Sequence, residues 1–166
     1  MAELDDVDGD ALPDLLVTDP ALDGGAYSYY PNLDGTTFGS RTVLSSSPSV
    51  WLSSTGVQLA DMDGDGASDV VARLSSASDG FRFYPGGSAG GFGGAVTLTP
   101  NPSFGFEDPD VRLVDLDHDR RTDWMRIDPT TGTVFRAYNR GNGTFESAPS
   151  LPPVDASEVV AFSKGA

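Results

Sequence analysis

An all-β fold of repeated units, each with four short antiparallel strands, is what this 166-residue sequence predicts. Three observations carry it. One acidic pattern, D-x-D-x-D-x-x-x-D, occurs three times, at Asp6–Asp14, Asp61–Asp69 and Asp115–Asp123. Gly (20) and Pro (12) punctuate short runs rich in β-branched and aromatic residues. No segment shows the apolar period of an amphipathic helix.

The repeat is the first element to justify. The leading aspartates Asp6, Asp61 and Asp115 lie 55 and 54 residues apart. Tyr30-Pro31, Tyr84-Pro85 and Tyr138-Asn139 recur at 54 and 54, and Phe38, Phe92 and Phe145 at 54 and 53. Pro48, Pro102 and Pro152 follow. A period of this size with several strands per unit points to β-propeller blades. The repeats run over about 4–56, 57–110 and 111–166. The recurring aromatics read as packing between blades rather than as ligand contacts.

The middle unit gives the strands most clearly. Val57–Asp61 leads into the acidic loop and Asp69–Leu74 leaves it. Residues 75–80 turn, Phe81–Tyr84 alternates as a third strand, and Ala95–Thr99 forms a fourth after a second turn. Glu158–Phe162 aligns with Val57–Ala60 and Val111–Val114. On that alignment the first unit lacks its first strand and the C-terminus carries a spare one. Three blades are half of a six-bladed propeller, and closed propellers have 4–8. Two apolar blade faces are then left open. They close by dimerisation into a six-bladed ring, latched by the spare strand, or by the remaining blades of a parent protein. The abrupt start at Met1, almost on top of the first loop, reads as a cut in a longer protein.

The acidic loops carry the chemistry. Calcium takes six to eight oxygen ligands at about 2.3–2.6 Å in a forgiving geometry. Asp6, Asp8 and Asp10 supply loop positions 1, 3 and 5, as do Asp61, Asp63 and Asp65, and Asp115, Asp117 and Asp119. Position 7 adds a backbone carbonyl from Leu12, Ala67 or Arg121, and position 9 closes the site with Asp14, Asp69 or Asp123. Up to three Ca2+ ions are expected, one per repeat. Magnesium demands a stricter octahedron, and a chain with no Cys and one His is a poor zinc binder. The loops are not EF-hands, because position 12 is Val17, Ala72 or Arg126 rather than Glu. One such loop would pass as an ordinary acidic turn; three in register favour the cation. Gly66 fits a position where positive φ is expected, so the middle site is the best formed. Ala11 and Arg120 stand there in the other loops, and Arg120 and Arg121 weaken the third.

Composition excludes several classes. A net charge of −15 is wrong for a nucleic-acid binder. Twelve of the 25 acidic residues lie in the three loops, so much of that charge has a local purpose. There is no apolar run long enough for a membrane span and no signal peptide. Without Cys, disulfides do not hold the fold together. Millimolar calcium outside cells suits a secreted, bacterial parent.

With these loops, and with Phe38-Gly39 and Phe92-Gly93-Gly94-Ala95, the sequence resembles the FG-GAP/VCBS repeat family over nearly its whole length. The third repeat departs, since no Gly follows Phe145. The resemblance implies calcium-binding blades like those of integrin α-chain propellers and some fungal lectins, with the loop aspartates as ligands. Gly56–Gly66 and Tyr29–Leu33 are also similar to the propeller of SpvB-like proteins and of the B component of Tc insecticidal toxins. There the propeller closes a shell around a toxic cargo and docks on a translocation pore.

Two function classes follow. The first is a non-catalytic, calcium-stabilised binding and assembly module. The second is a calcium-dependent, lectin-like glycan binder, with Trp51, Tyr27 or Tyr29 stacking on sugars, although a core role is expected for each. An enzyme is not expected: there is one His, one Lys (Lys164) and no G-x-S-x-G. The carboxylates that could serve as acid and base are committed to the loops. Asn142-Gly143-Thr144 matches a glycosylation sequon without further support.

Overall fold

The computed structural model describes residues 1–74, 80–87 and 91–151. It is all-β: twelve strands form three separate four-stranded antiparallel sheets, each in chain order. Blade 1 holds β1 (Ala2–Asp5), β2 (Asp14–Val17), β3 (Ser28–Tyr30) and β4 (Thr42–Val43). Blade 2 holds β5 (Val57–Ala60), β6 (Asp69–Arg73), β7 (Phe81–Tyr84) and β8 (Val96–Thr97). Blade 3 holds β9 (Val111–Val114), β10 (Asp123–Ile127), β11 (Val134–Asn139) and β12 (Phe145–Leu151). A 3-10 turn covers Asp23–Gly25. Among the described residues no helix is long and apolar enough to cross a membrane.

The middle-blade strands fall where the sequence places them, with β8 shorter than expected. The first blade corrects an expectation. Ala2–Asp5 is a complete first strand, pairing with β2 from Ala2↔Val17 to Asp5↔Asp14. No strand is missing from blade 1, so the slot proposed for a C-terminal latch is filled by the chain itself. The latch segment 158–162 and Pro152 lie outside the described residues.

Each blade presents one face to the blade before it and the other to the blade after it, because successive strand residues alternate sides. Blade 1 sends Leu16, Tyr27, Tyr29 and Leu44 into the first core, where they meet Val57, Val70, Ala72 and Phe92 of blade 2. Blade 2 sends Met62, Val71, Phe81, Phe83 and Leu98 into the second core, against Val111, Trp124 and Phe145 of blade 3. Trp124 anchors that junction. Its ring lies edge-on to Phe81 at 4.9 Å and stacks on Phe106 at 5.0 Å, and its Nε1 donates to the Phe104 carbonyl. Burying such side chains contributes about 1.5–3 kcal/mol each, so stability here resides largely at the junctions between blades.

The recurring phenylalanines are junction residues. Phe92 and Phe145 are buried, whereas Phe38, on a blade with no predecessor in this chain, is 44% exposed. Tyr27 and Tyr29 are core side chains, and Trp51 packs over Gly25, so none of the three offers an open stacking platform. The recurring tyrosines divide. Tyr30 pairs with Leu15 and Tyr84 with Val70, but Trp124 pairs with Ala137. The β10–β11 hairpin is one residue shorter than the β6–β7 hairpin, and a one-residue shift moves a side chain to the opposite face. Tyr138 therefore points away from the preceding blade, whereas Tyr84 packs toward its own.

Candidate metal centres

Each acidic loop connects the first and second strands of its blade, and one backbone pattern shapes all three. The position-1 carboxylate gathers loop N–H groups. Asp6 accepts from Gly9 at 2.7 Å and Ala11 at 2.9 Å. Asp61 accepts from Gly64 at 2.7 Å and Gly66 at 3.0 Å, and Asp115 from Asp119 at 3.2 Å and Arg120 at 3.0 Å. The position-5 carboxylate takes the N–H two residues on: Leu12 to Asp10, Ala67 to Asp65, Arg121 to Asp119. These are Asx-type turns, local to the chain. Positive φ falls at position 4 (Gly9, Gly64, His118) and position 6 (Ala11, Gly66, Arg120) in every loop, as the middle Gly66 suggests.

Position 9 does something the sequence does not announce. Asp14, Asp69 and Asp123 are fully buried. One oxygen of each accepts the N–H of position 2: Val7 at 3.1 Å, Met62 at 2.8 Å and Leu116 at 2.8 Å. The other accepts an N–H from the end of the third strand or just beyond it: Asn32 at 2.7 Å, Gly86 at 2.7 Å and Asn139 at 2.8 Å. This carboxylate clamps its loop to its own blade. Asn32 and Asn139 are participants that motif reading misses; the available signal is an Asn one or two residues after the recurring Tyr in the first and third repeats.

The expected ligands converge in part. Carboxylate oxygens of Asp6, Asp8 and Asp10 lie within 4.8 Å of one another, as do those of Asp61, Asp63 and Asp69, and of Asp115, Asp117 and Asp123. Asp14, Asp65 and Asp119 are outside these trios. Asp14 makes the same two backbone bonds as Asp69 and Asp123, so those bonds do not by themselves keep it out; Asp65 faces Gly87, and Asp119 is paired with the Arg121 guanidinium. Leu12, Ala67 and Arg121 occupy position 7 in each loop, with their N–H groups engaged as described.

The electrostatics suit a cation. Burial pushes Asp69 up to about 7, and the neighbouring Asp63 and Asp61 add to the rise against the Gly86 and Met62 N–H groups. Burial likewise raises Asp123 and Asp61. Burial, then Asp14 and Asp10, raises Asp8, and burial with Asp65 raises Asp63. One Asp8 oxygen is enclosed without a hydrogen-bond partner. Asp115 moves the other way: burial alone would raise it, but the N–H groups of Arg120, His118 and Asp119 together hold it below the ordinary carboxylate value. Clustered, oxygen-only carboxylates, several of them raised by burial, are a donor set that calcium fits and zinc does not.

The class defined by fold and loops is a tandem array of β-propeller-type blades, each opened by an acidic loop. Residues 6–72 match the FG-GAP-like repeat family model, a span that starts at the first acidic loop, holds β2–β5 and runs through the middle loop into β6. No curated protein matches the sequence significantly. Among solved structures, the fold is similar to a Tc holotoxin pore of Photorhabdus luminescens, with TM-score 0.66 and 23% identity over 93% of this chain. A lectin of Agrocybe aegerita, described as recognising non-reducing terminal N-acetylglucosamine, matches with TM-score 0.62 and 22% identity over 96%. The TcdB2–TccC3 toxin component matches with TM-score 0.58 and 18% identity over 82%. This chain spans 7% of each toxin chain and 40% of the lectin.

Proposed function

We propose that this chain is a non-catalytic, calcium-stabilised blade array that serves as a binding and assembly module of a larger extracellular protein. The observation that carries the reading is the threefold recurrence of one backbone cradle around a carboxylate trio. A trio held together by local N–H groups is repulsive without a cation and favourable with one. Calcium in such loops links strands 1 and 2 of each blade and, through the position-9 clamp, steadies the third. The match to toxin components supports an extracellular parent whose blades bind other protein domains. Weak sites of this kind are filled at extracellular calcium levels.

Calcium titration tests the reading. At a hundredfold excess over Kd, one native-state site adds about 2.7 kcal/mol to stability. The melt should rise with calcium and fall with a chelator, and Asp63→Asn should reduce the shift. The middle loop should bind tightest, with Gly66 at its turn, and the third weakest, with Arg120 and Arg121 beside it. A melt unchanged by verified metal removal refutes the reading.

A glycan-binding role is the second reading, favoured by the lectin's cover of this chain and by one cavity. That cavity holds about 230 Å³ and is lined by Phe104, Trp124, Arg126 and Phe135. Aromatic walls with a charged group are a common sugar-binding composition. An array of glycans ending in N-acetylglucosamine decides it: binding abolished by Phe135→Ala establishes the lectin reading, and a blank array removes it.

A further inference from the structure

The two junctions inside this chain use one docking pattern. The position-8 N–H of the later blade donates to the position-1 carbonyl of the earlier one: Ser68 to Asp6 at 2.7 Å, and Thr122 to Asp61 at 2.8 Å. A second donor reaches the position-2 carbonyl: the Gly87 N–H to Val7 at 3.3 Å, and Asn139 Nδ2 to Met62 at 2.8 Å. Blade 3 carries the same two acceptors, the carbonyls of Asp115 and Leu116. Neither receives a hydrogen bond among the described residues.

The side chains around those acceptors have changed. On the face turned toward the next blade, Leu16 pairs with Tyr29 in blade 1 and Val71 with Phe83 in blade 2. In blade 3 the pair is Met125 with Arg136. A guanidinium stands where the earlier blades have a junction aromatic. Arg136 donates only to neutral groups, the Tyr138 hydroxyl at 3.0 Å and the Pro149 carbonyl at 3.1 Å, and its Nε is enclosed without a partner. Arg112, on the same face, donates only to the carbonyls of Pro109 and Val111. Arg140 is already paired with Asp117 and Glu146, so among the described residues the charges on this face without an ionic partner are those of Arg112 and Arg136. The expectation of two apolar open faces is therefore corrected at this end.

The opposite end does not complement it. The open face of blade 1 carries Leu4, Leu15 and Val17, the counterparts of Leu59, Val70 and Ala72, and Leu4 is 62% exposed. Its position-8 residue is Pro13, which has no N–H to give to an Asp115 carbonyl. Asn32 Nδ2 donates to the Pro13 carbonyl of its own blade, as Asn139 does to Thr122, so this second donor is kept and the missing one is the position-8 N–H. A ring of two copies would place Arg112 and Arg136 against aliphatic side chains and leave the Asp115 carbonyl unmet. Each of these costs stability.

We propose that the open face of blade 3 docks a further blade-type sheet that brings an N–H donor to Asp115 and a carboxylate to Arg136. This partner is not the first blade of a second copy. The inference rests on the assembly-module reading and names the surface and the chemistry of its partner.

Turning blade 1 into such a partner tests it in the full-length chain. Leu59 packs in the core that holds Tyr29, so its counterpart Leu4 is the position that would meet Arg136. Pro13→Ser restores the donor as in Ser68, and Leu4→Glu adds the carboxylate at an exposed site. Analytical ultracentrifugation is the readout, with thermal melts confirming that each variant is folded. The unaltered chain should sediment as a monomer. The Pro13→Ser/Leu4→Glu chain should self-associate head to tail, and adding Arg136→Glu should weaken that association by about tenfold or more. Three outcomes overturn the proposal: a monomeric double variant, an assembly indifferent to Arg136→Glu, or an unaltered chain that already assembles and is dissociated by Arg136→Glu. Calcium and glycan binding are read at other sites, so failure here leaves the module reading intact.

Discussion

Asn139 and Met62 lie 77 residues apart in the chain, yet the Asn139 side-chain amide donates to the Met62 carbonyl at 2.8 Å. The same amide group reaches the Thr122 carbonyl at 3.2 Å, and the Asn139 N–H is held by Asp123. One fully buried residue thus joins the acidic loop of blade 2 to the loop and third strand of blade 3. Asn139→Ala leaves two buried carbonyls short of a donor and should cost about 1–3 kcal/mol. Urea denaturation measures it; a loss indistinguishable from zero would show that water replaces the amide.

The metal-free chain should be less stable at pH 7 than at pH 5. Asp69 titrates near 7 in the fold and near 3.9 when unfolded. Between those values the native state holds the extra proton, so stability falls as pH rises. Burial shifts Asp123 and Asp61 in the same direction. Calcium displaces protons from these carboxylates, so its stabilising shift should grow from pH 5 to pH 7. Melting curves with chelator and with calcium at both pH values check both signs. A chelated melt that rises toward neutrality contradicts the argument.

Ala11 and Arg120 hold φ of 68° and 74°. Left-handed backbone costs a non-glycine residue roughly 1–2 kcal/mol, and glycine's unfolded-state entropy returns roughly 0.5–1 kcal/mol of any relief. Ala11→Gly and Arg120→Gly should each stabilise the fold by about 0.5–1 kcal/mol. Gly66→Ala, at φ 95°, should do the reverse. Arg120→Gly also removes a positive charge from the third loop, so its calcium affinity should rise. Calorimetric titration of Arg120→Gly beside the unaltered chain reads both effects.

Gly143 sits where blade 3 passes the last strand of blade 2. A Cβ there would lie 2.5 Å from the Thr97 carbonyl oxygen, at a φ of 73°. The Gly143 carbonyl accepts from the Thr99 N–H at 2.7 Å across the same seam. Gly143→Ala combines a clash with backbone strain and should cost about 2 kcal/mol or more. A melt within about 1 °C of the parent would mean the seam yields freely.

The sequence by itself determined the repeat, the strand order within a blade and the shape of the acidic loops. These are short-range properties. Asp, Gly and Pro at fixed offsets set turns, and alternating apolar residues set strands, without reference to the rest of the chain. Gly66 alone was enough to locate the positive-φ position that Ala11 and Arg120 share. The tertiary structure decided which aspartates meet and which faces are apolar. Asp14 and Asp69 look identical in the motif, yet Asp69 joins its trio and Asp14 does not, because convergence depends on where the strands carry each carboxylate. Tyr138 keeps its spacing from Tyr84 and still faces the other way, because a hairpin shorter by one residue shifts the pairing, and side-chain direction follows pairing rather than spacing. Arg136 becomes informative only when that pairing sets it beside Met125, in the place of Phe83. Blade 1 gains its first strand from Ala2–Asp5 by pairing with β2, a contact that four short residues do not announce on their own. Local geometry is written residue by residue, whereas burial and facing are properties of neighbours that only the folded chain supplies.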